Sequence, residues 1–345
     1  MDTSQAAVPP TTKVPPTTVP PAQSRLAALA ASPWPRFAAR RLGQLLVAVV
    51  VLITASFLII HLVPGDPVRA ALGINALQSV VNARRLQLGL NDPLWQQYVH
   101  YVQHLLHGQM GDSISTGLPV GQTIGQHLPA TLALACWAFA VSVAISVPLG
   151  LTMGVLTRNG RRRGTELAFT GAGVVLAAIP GFLLAVLLVD VFAVQLPWAP
   201  VAGNSGISSY ILPVLSLAVG PTLVLARILR LEVLGALQSD YVRTARAKRL
   251  PAWRVYLLHV LPNALTATVT VCGLLLTSLV AGTVLIENVF AWPGLGQTMV
   301  QSIIAKDYPV VQGIVLVYGT GVLVVNLLVD VVLALLDPRS TIRES

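Results

Sequence analysis

Six long apolar runs dominate the sequence and leave little choice of fold. They are Leu42–Val63, Pro129–Leu156, Leu167–Leu196, Tyr210–Leu231, Asn263–Val289 and Val310–Leu336. Each reaches the roughly 20 residues that a helix needs to cross a bilayer. None alternates apolar with polar residues as a barrel strand does, so each is predicted to be a helix that satisfies its own backbone where water is absent. The fold class expected is therefore an all-α polytopic membrane protein with six transmembrane helices. Only 10% of the 345 residues are charged, against about 25% in soluble domains. Pro148, Pro180, Pro213 and Pro221 fall inside these runs and predict kinks packed against neighbouring helices rather than breaks.

Arginine placement sets the orientation. Arg36, Arg40 and Arg41, then Arg158, Arg161, Arg162 and Arg163, then Arg243 to Arg254, then Arg339 and Arg343 collect on one side. The opposite connectors are uncharged, or mix Arg69, Arg84 and Arg85 with Asp66, Asp92 and Asp112, and Lys306 with Asp307. The positive-inside rule then predicts both termini in the cytoplasm. The net charge of +9 reads as this asymmetry and not as a nucleic-acid footprint.

The chain divides accordingly. Residues 1–33, rich in Pro, Thr and Ala with VPPTT occurring twice, are expected to be a disordered cytoplasmic tail and not a signal peptide. Residues 34–63 hold the first transmembrane helix, and 64–128 an external loop region with short helices. Residues 129–336 form a core domain with five transmembrane helices, and 337–345 a cytoplasmic C-terminal tail. Within the external region, NDPLWQQYVHYVQHLLHG predicts an amphipathic helix capped by Asn91 or Asp92, with Pro93 in its first turn. Its stripe is Leu94, Tyr98, Tyr101, Val102 and Leu105. Cys136 and Cys272 sit in apolar runs and are expected to be buried thiols, with no metal site.

The stretch SDYVRTARAKRLPAWRVYLLHVLPNAL concentrates cations between two spans. Asp240 is placed to cap a helix whose first turn favours a carboxylate. Small Ala245 and Ala247 would let another surface approach closely. RLP then ends this helix, and a second one leads through Pro262 into the fifth span. Taken alone, the pattern fits either a helix offered to another protein or a basic segment lying on anionic lipid.

This stretch resembles the EAA loop of bacterial ABC-importer permeases, with Arg243-Thr244-Ala245 followed by Arg249 and by His259-Val260-Leu261-Pro262 at the family spacing. It is closer to the peptide/nickel permease variant, since DYVRTARAKRL and HVLPNAL match it nearly throughout. ARRLGQLLVAVVVLITASFLIIHLVPGDP, LGLNDPLWQQYVHYVQHLLHGQMGDS, HLPATLALA, ENVFAWPGLGQTMVQSIIAKDYPVVQG and NLLVDVVLALLDPR resemble further segments of that family in the same order. The match spans roughly residues 36–343 and is most similar to the first, B-type, permease of oligopeptide and dipeptide systems. One departure stands out: Arg249 occupies a position where the family has glycine, which would supply a positive φ or a close approach.

The resemblance implies a type I ABC importer in the bacterial plasma membrane. A second homologous permease, two ABC ATPases and an extracytoplasmic substrate-binding protein would be its partners. The chain itself is expected to be non-catalytic, with no cofactor, while ATP and Mg bind the ATPases. Independently, no glycine in the chain is followed by lysine, so it carries no P-loop. The resemblance assigns ATPase coupling to residues 239–262, with Asp240, Tyr241, Arg243, Thr244, Ala245, Arg246, Ala247, Lys248, Arg249, Leu250, His259 and Pro262 as the contact set. Similar permeases carry dipeptides, longer peptides, nickel chelates and opine-like metallophores.

Ionisable and amide groups inside apolar runs are the remaining candidates, because a charge in hydrocarbon must face protein or water. Asp190, Glu287, Asp330 and Asn326 are therefore candidate pathway or gate residues. For Asp330 a contact with a cytoplasmic-side arginine is the simpler expectation. Glu287 and the WPGLG turn, Trp292 to Gly296, are expected to shape the external gate or docking surface. The alternative function is a proton-driven secondary carrier using these carboxylates as relays.

Overall fold

The computed structural model describes residues 34–62, 68–69, 73, 76–87, 89 and 91–336. The tails expected at 1–33 and 337–345 lie outside the described residues. The helices are α1 Trp34–Leu62, α2 Gln78–Gln87, α3 Leu94–Leu106, α4 Val120–Leu156, α5 Arg163–Ala178 and α6 Gly181–Leu188, the last continued by a π-helical Val189–Gln195. They are followed by α7 Ile207–Leu237, α8 Asp240–Ala247 and α9 Ala252–Arg254. A second π-helical segment, Val255–Val260, runs from α9 into α10 Leu261–Val289, and α11 Leu295–Ile304 and α12 Tyr308–Leu336 complete the order.

Among the described residues five helices, α1, α4, α7, α10 and α12, are long and apolar enough to cross a membrane, and the pair α5 and α6 makes a sixth candidate bent by 93°. The bend corrects the expectation of a packed kink at Pro180. Ile179 adopts an extended backbone (φ −74°, ψ 119°), as the clash with a following proline ring favours, and α6 restarts at Gly181. Pro148 in α4, and Pro213 and Pro221 in α7, stay inside continuous helices. Hydropathy marks where the bilayer ends and not where the helix ends. Thus α4 begins at Val120, well before Pro129, and α7 runs beyond Leu231 to Leu237.

The central helix is α7. Half of its apolar window is buried, against 11% for α1 and for α12, whose outward faces are free for lipid. Against α7 lies α4, at close range through Gly150 and Gly154. A Cβ on Gly150 would stand 2.8 Å from the Ala226 carbonyl, and one on Gly154 would stand 2.5 Å from Val233 Cγ1. Glycines four apart bring backbones together where no hydrophobic effect drives association, and dispersion contacts take its place. Buried hydroxyls bond back along their own helices, as Ser142 Oγ does to Ala138 O (2.8 Å) and Thr268 Oγ1 to Ala264 O (3.1 Å). Cys136 is exposed on α4 and Cys272 half-buried, which corrects the expectation of two buried thiols.

Helix α3 docks on α1. Tyr98 and Tyr101 flank the Phe57 ring at 5.3 and 5.8 Å, while Tyr101 Oη donates to Ser56 Oγ (3.2 Å). Burial in this contact raises the pKa of the Tyr101 hydroxyl. Leu94 is exposed, so the apolar stripe starts at Tyr98. Pro93 occupies the N-cap with no side-chain cap bond, so neither Asn91 nor Asp92 caps the helix.

Candidate functional site

The arginine-rich end of the bundle carries α8. Ser239 takes the extended N-cap conformation (φ −71°, ψ 154°), but its hydroxyl turns back to Ala236 O at 2.5 Å, so no side chain caps the helix. Asp240 stands in the first turn, where the helix dipole favours its charge, and pairs with exposed Arg243 at 3.3 Å. Val242 and Ala245, one turn apart, are buried in a cluster with Leu229, Val233, Leu237 and Val260. Ala245 therefore faces its own chain rather than a partner. The outward face presents Tyr241, Arg243, Thr244, Arg246, Ala247, Lys248 and Arg249, all exposed.

The helix ends in a Schellman motif. Leu250 N donates to Ala245 O (3.4 Å) and Arg249 N to Arg246 O (2.9 Å). Leu250 also joins the apolar cluster that holds Ala245. Arg249 occupies the left-handed position with φ +52°. The turn thus keeps the geometry for which glycine is suited, although arginine fills it. Pro251 then caps α9. His259 lies on the π-helical return segment, half-buried, its Nδ1 without a hydrogen-bond partner. Pro262 opens α10 and is exposed. Asp240 to Leu250 therefore form one protruding elbow, with His259 and Pro262 behind it on the return helix.

Polar ties brace the elbow from the rear. Buried Arg230 on α7 donates through Nε to Thr157 Oγ1 (3.0 Å) and through Nη2 to Glu166 Oε1 (2.5 Å). Arg158 Nη1 reaches Tyr256 Oη at 3.1 Å. Farther up, Arg41 on α1 pairs with Asp330 on α12 (2.9 Å), and Asn326 Oδ1 accepts from Thr277 Oγ1 on α10 (3.0 Å).

The opposite end is knotted by two carboxylates. Glu287 is fully buried. Its Oε2 accepts from the backbone N–H of Gly296 (2.6 Å) and Gln297 (3.2 Å), while Oε1 has no hydrogen-bond partner of good geometry. Gly294 leaves room for this carboxylate, since a Cβ there would stand 2.4 Å from Glu287 Oε2 and displace it. Trp292, also fully buried, donates Nε1–H to Ala130 O (3.2 Å), and Leu295 N donates to Thr131 Oγ1 (2.8 Å). Asp307, 2% exposed, accepts from Ser113 Oγ, from Ser115 Oγ (2.6 Å) and from the N–H groups of Ile114 and Ser115 (3.1 and 3.3 Å). Asp190 is exposed on its π-helical segment and accepts from Gln195 Nε2 (2.8 Å). Asp190, Glu287, Asp330 and Asn326 are thus separately bonded and form no common cluster. Sequence reading missed Asp307 and Arg230, whose partners lie far along the chain. It also missed Gly150 and Gly154, whose spacing was visible.

Residues 146–342 match the family described as binding-protein-dependent transport system inner membrane component, and residues 35–135 match its N-terminal region. The chain belongs to this family of ABC-importer permeases. The glutathione transport system permease GsiC of Pectobacterium atrosepticum is 38% identical over 304 residues, covering 87% of this chain and 96% of that protein. GsiC of Escherichia coli (strain K12) is 36% identical over 299 residues, with the same coverage. The inward-facing MetNI methionine ABC transporter is similar in structure, with TM-score 0.53 and 19% identity over 63% of this chain and 97% of that one. At that identity the likeness bears on fold alone. This permease is accordingly a non-catalytic, multi-pass subunit of the bacterial inner membrane.

Proposed function

We propose that this permease imports a small peptide or a chemically similar solute by alternating access, with the α8 elbow as the part that receives the movement of a separate ATPase subunit. One observation carries the reading. The inner face of α8 is locked into the apolar cluster by Val242 and Ala245, while its outer face, from Tyr241 to Arg249, is exposed and cationic. A lipid anchor would turn apolar groups outward, and this helix turns them inward. Positive-inside logic puts α8 and both termini in the cytoplasm, where an ATPase would meet them. A second permease, a pair of ATPases and an external binding protein complete the assembly. Relatives named for glutathione transport support a peptide-like cargo.

A proton-driven carrier needs carboxylates free to relay protons. Asp330 is tied to Arg41, Glu287 to backbone N–H groups and exposed Asp190 to Gln195 on its own segment, so the ATP-driven reading is better supported. The test is uptake into vesicles holding this chain with its partner subunits. Thr244→Glu and Ala247→Glu, on the exposed face, should abolish ATP-dependent uptake while leaving membrane insertion and thermal unfolding unchanged. Undiminished uptake by both variants would refute the role of α8. Uptake by this chain alone without ATP would refute the importer reading.

A further inference from the structure

Between the α4–α5 connector and α8 lies a cleft of about 250 Å³. Arg158, Arg161 and Arg246 line it with Asn159 and Gln238, over a floor of Leu234 and Leu237. No carboxylate lines this cleft. Of the carboxylates on the flanking helices, Glu166 is taken by Arg230 and Asp240 by Arg243, and Glu232 on α7 is not among the lining residues. Arg158 is held in place by its bond to Tyr256 Oη. Among the described residues none of the three arginines has an ion-pair partner. Three arginines lining one cleft without a counter-charge repel one another, and an anion placed among them relieves that repulsion.

We propose that this cleft binds a phosphate group, carried by an anionic phospholipid headgroup or supplied as free phosphate. Guanidinium forks match phosphate oxygens in geometry and form charge-assisted bonds to them. The Asn159 and Gln238 amides supply further donors, and the leucine floor suits the glycerol end of a headgroup. The lipid source rests on the orientation proposed above, which puts the cleft on the cytoplasmic side, the side on which anionic headgroups gather. Phosphate binding itself rests on the cleft alone. A bound phosphate would bridge Arg158 and Arg161 on the connector to Arg246 on α8 and hold the elbow against α7.

The experiment is thermal unfolding of the full-length chain in a non-ionic detergent, followed by tryptophan fluorescence. It is titrated separately with dihexanoyl phosphatidylglycerol, dihexanoyl phosphatidylcholine and inorganic phosphate at constant ionic strength. A saturable rise with phosphatidylglycerol alone supports the site and assigns it to lipid headgroups. An equal rise with inorganic phosphate supports the site and assigns it to free phosphate. Arg161→Gln/Arg246→Gln should weaken the apparent affinity at least about tenfold, the loss expected from removing charge-assisted bonds. Arg162→Gln/Arg163→Gln, which removes the same charge outside the cleft, should leave it unchanged. No rise with either anion, an equal rise with phosphatidylcholine, or an equal loss in both double variants overturns the proposal. Because no transport is measured, its failure is distinct from failure of the importer reading.

Discussion

Replacing Arg249 with glycine should tighten the α8 elbow, and the effect follows from one backbone angle. At φ +52° an L-residue sets its Cβ against the neighbouring carbonyl, at about 1–2 kcal/mol. Glycine removes that clash but returns about 0.5–1 kcal/mol through the greater freedom of its unfolded chain. The net expectation is roughly 0.5–1 kcal/mol in favour of Arg249→Gly, or about two- to fivefold in the local opening constant. The amides of Arg249 and Leu250, bonded to Arg246 O and Ala245 O, report that opening directly. Hydrogen exchange of a peptide covering residues 241–256 is the assay. Arg249→Lys, which keeps both charge and strain, should exchange like the native chain. Arg249→Val should exchange faster, because a β-branched residue tolerates the left-handed region worst. Faster exchange in the glycine variant would refute the conformational account, as would equal protection in the valine variant.

Three further outcomes are expected. Gly154→Val places side-chain atoms where even a Cβ would stand 2.5 Å from Val233 Cγ1, so thermal unfolding should show a loss of about 1–3 kcal/mol from overpacking between α4 and α7. Asp307→Ala removes the acceptor for the hydroxyls and amides at residues 113–115. Limited proteolysis should then cut that loop faster, with roughly 1–3 kcal/mol lost as buried donors go unpaired. A double-mutant cycle on Arg41→Ala and Asp330→Ala should give a coupling of about 0.5–1 kcal/mol, modest because the pair is partly open at 36% and 25% side-chain exposure.

The spans were legible because hydropathy is a local property. The helix ends were not, because their closure depends on three-dimensional contacts. Among the described residues four helices close with the same backbone pattern, with Gly108, Arg249, Ala291 and Lys306 at the left-handed position. Only Gly108 advertises it. At the other three, contacts of the next residue hold an unfavoured conformation that composition gives no reason to expect: apolar packing of Leu250, the Trp292 bond to Ala130 O, and the Asp307 bonds to Ser113 and Ser115. Val242 and Ala245 show the reverse: their helical spacing was plain, but a small alanine suits an inner contact as well as an outer one, and only packing decides. Pro180 looked like the other prolines in apolar runs. It breaks its helix where they do not, and the glycine that follows was the available hint. The Asp307 knot joins residues 194 positions apart at Ser113, beyond the reach of any local pattern.

The 93° bend also says something about the medium around this chain. Gly181, just past the break, sits beside Ser216, its Cβ position 3.6 Å from that residue's carbonyl. Ser216 lies about 14 Å along α7 from Ile207 at the helical rise. The break is therefore set at membrane depth. Ile179 N donates to Leu176 O there (3.3 Å), and Pro180, which brings no N–H, ends the ladder of α5. Hydrocarbon offers an interrupted ladder nothing to bond with. Leu176, Phe182, Leu183, Val186 and Leu187 around the break suit acyl chains, whereas the interrupted backbone itself is tolerated at that depth only where protein or water covers it.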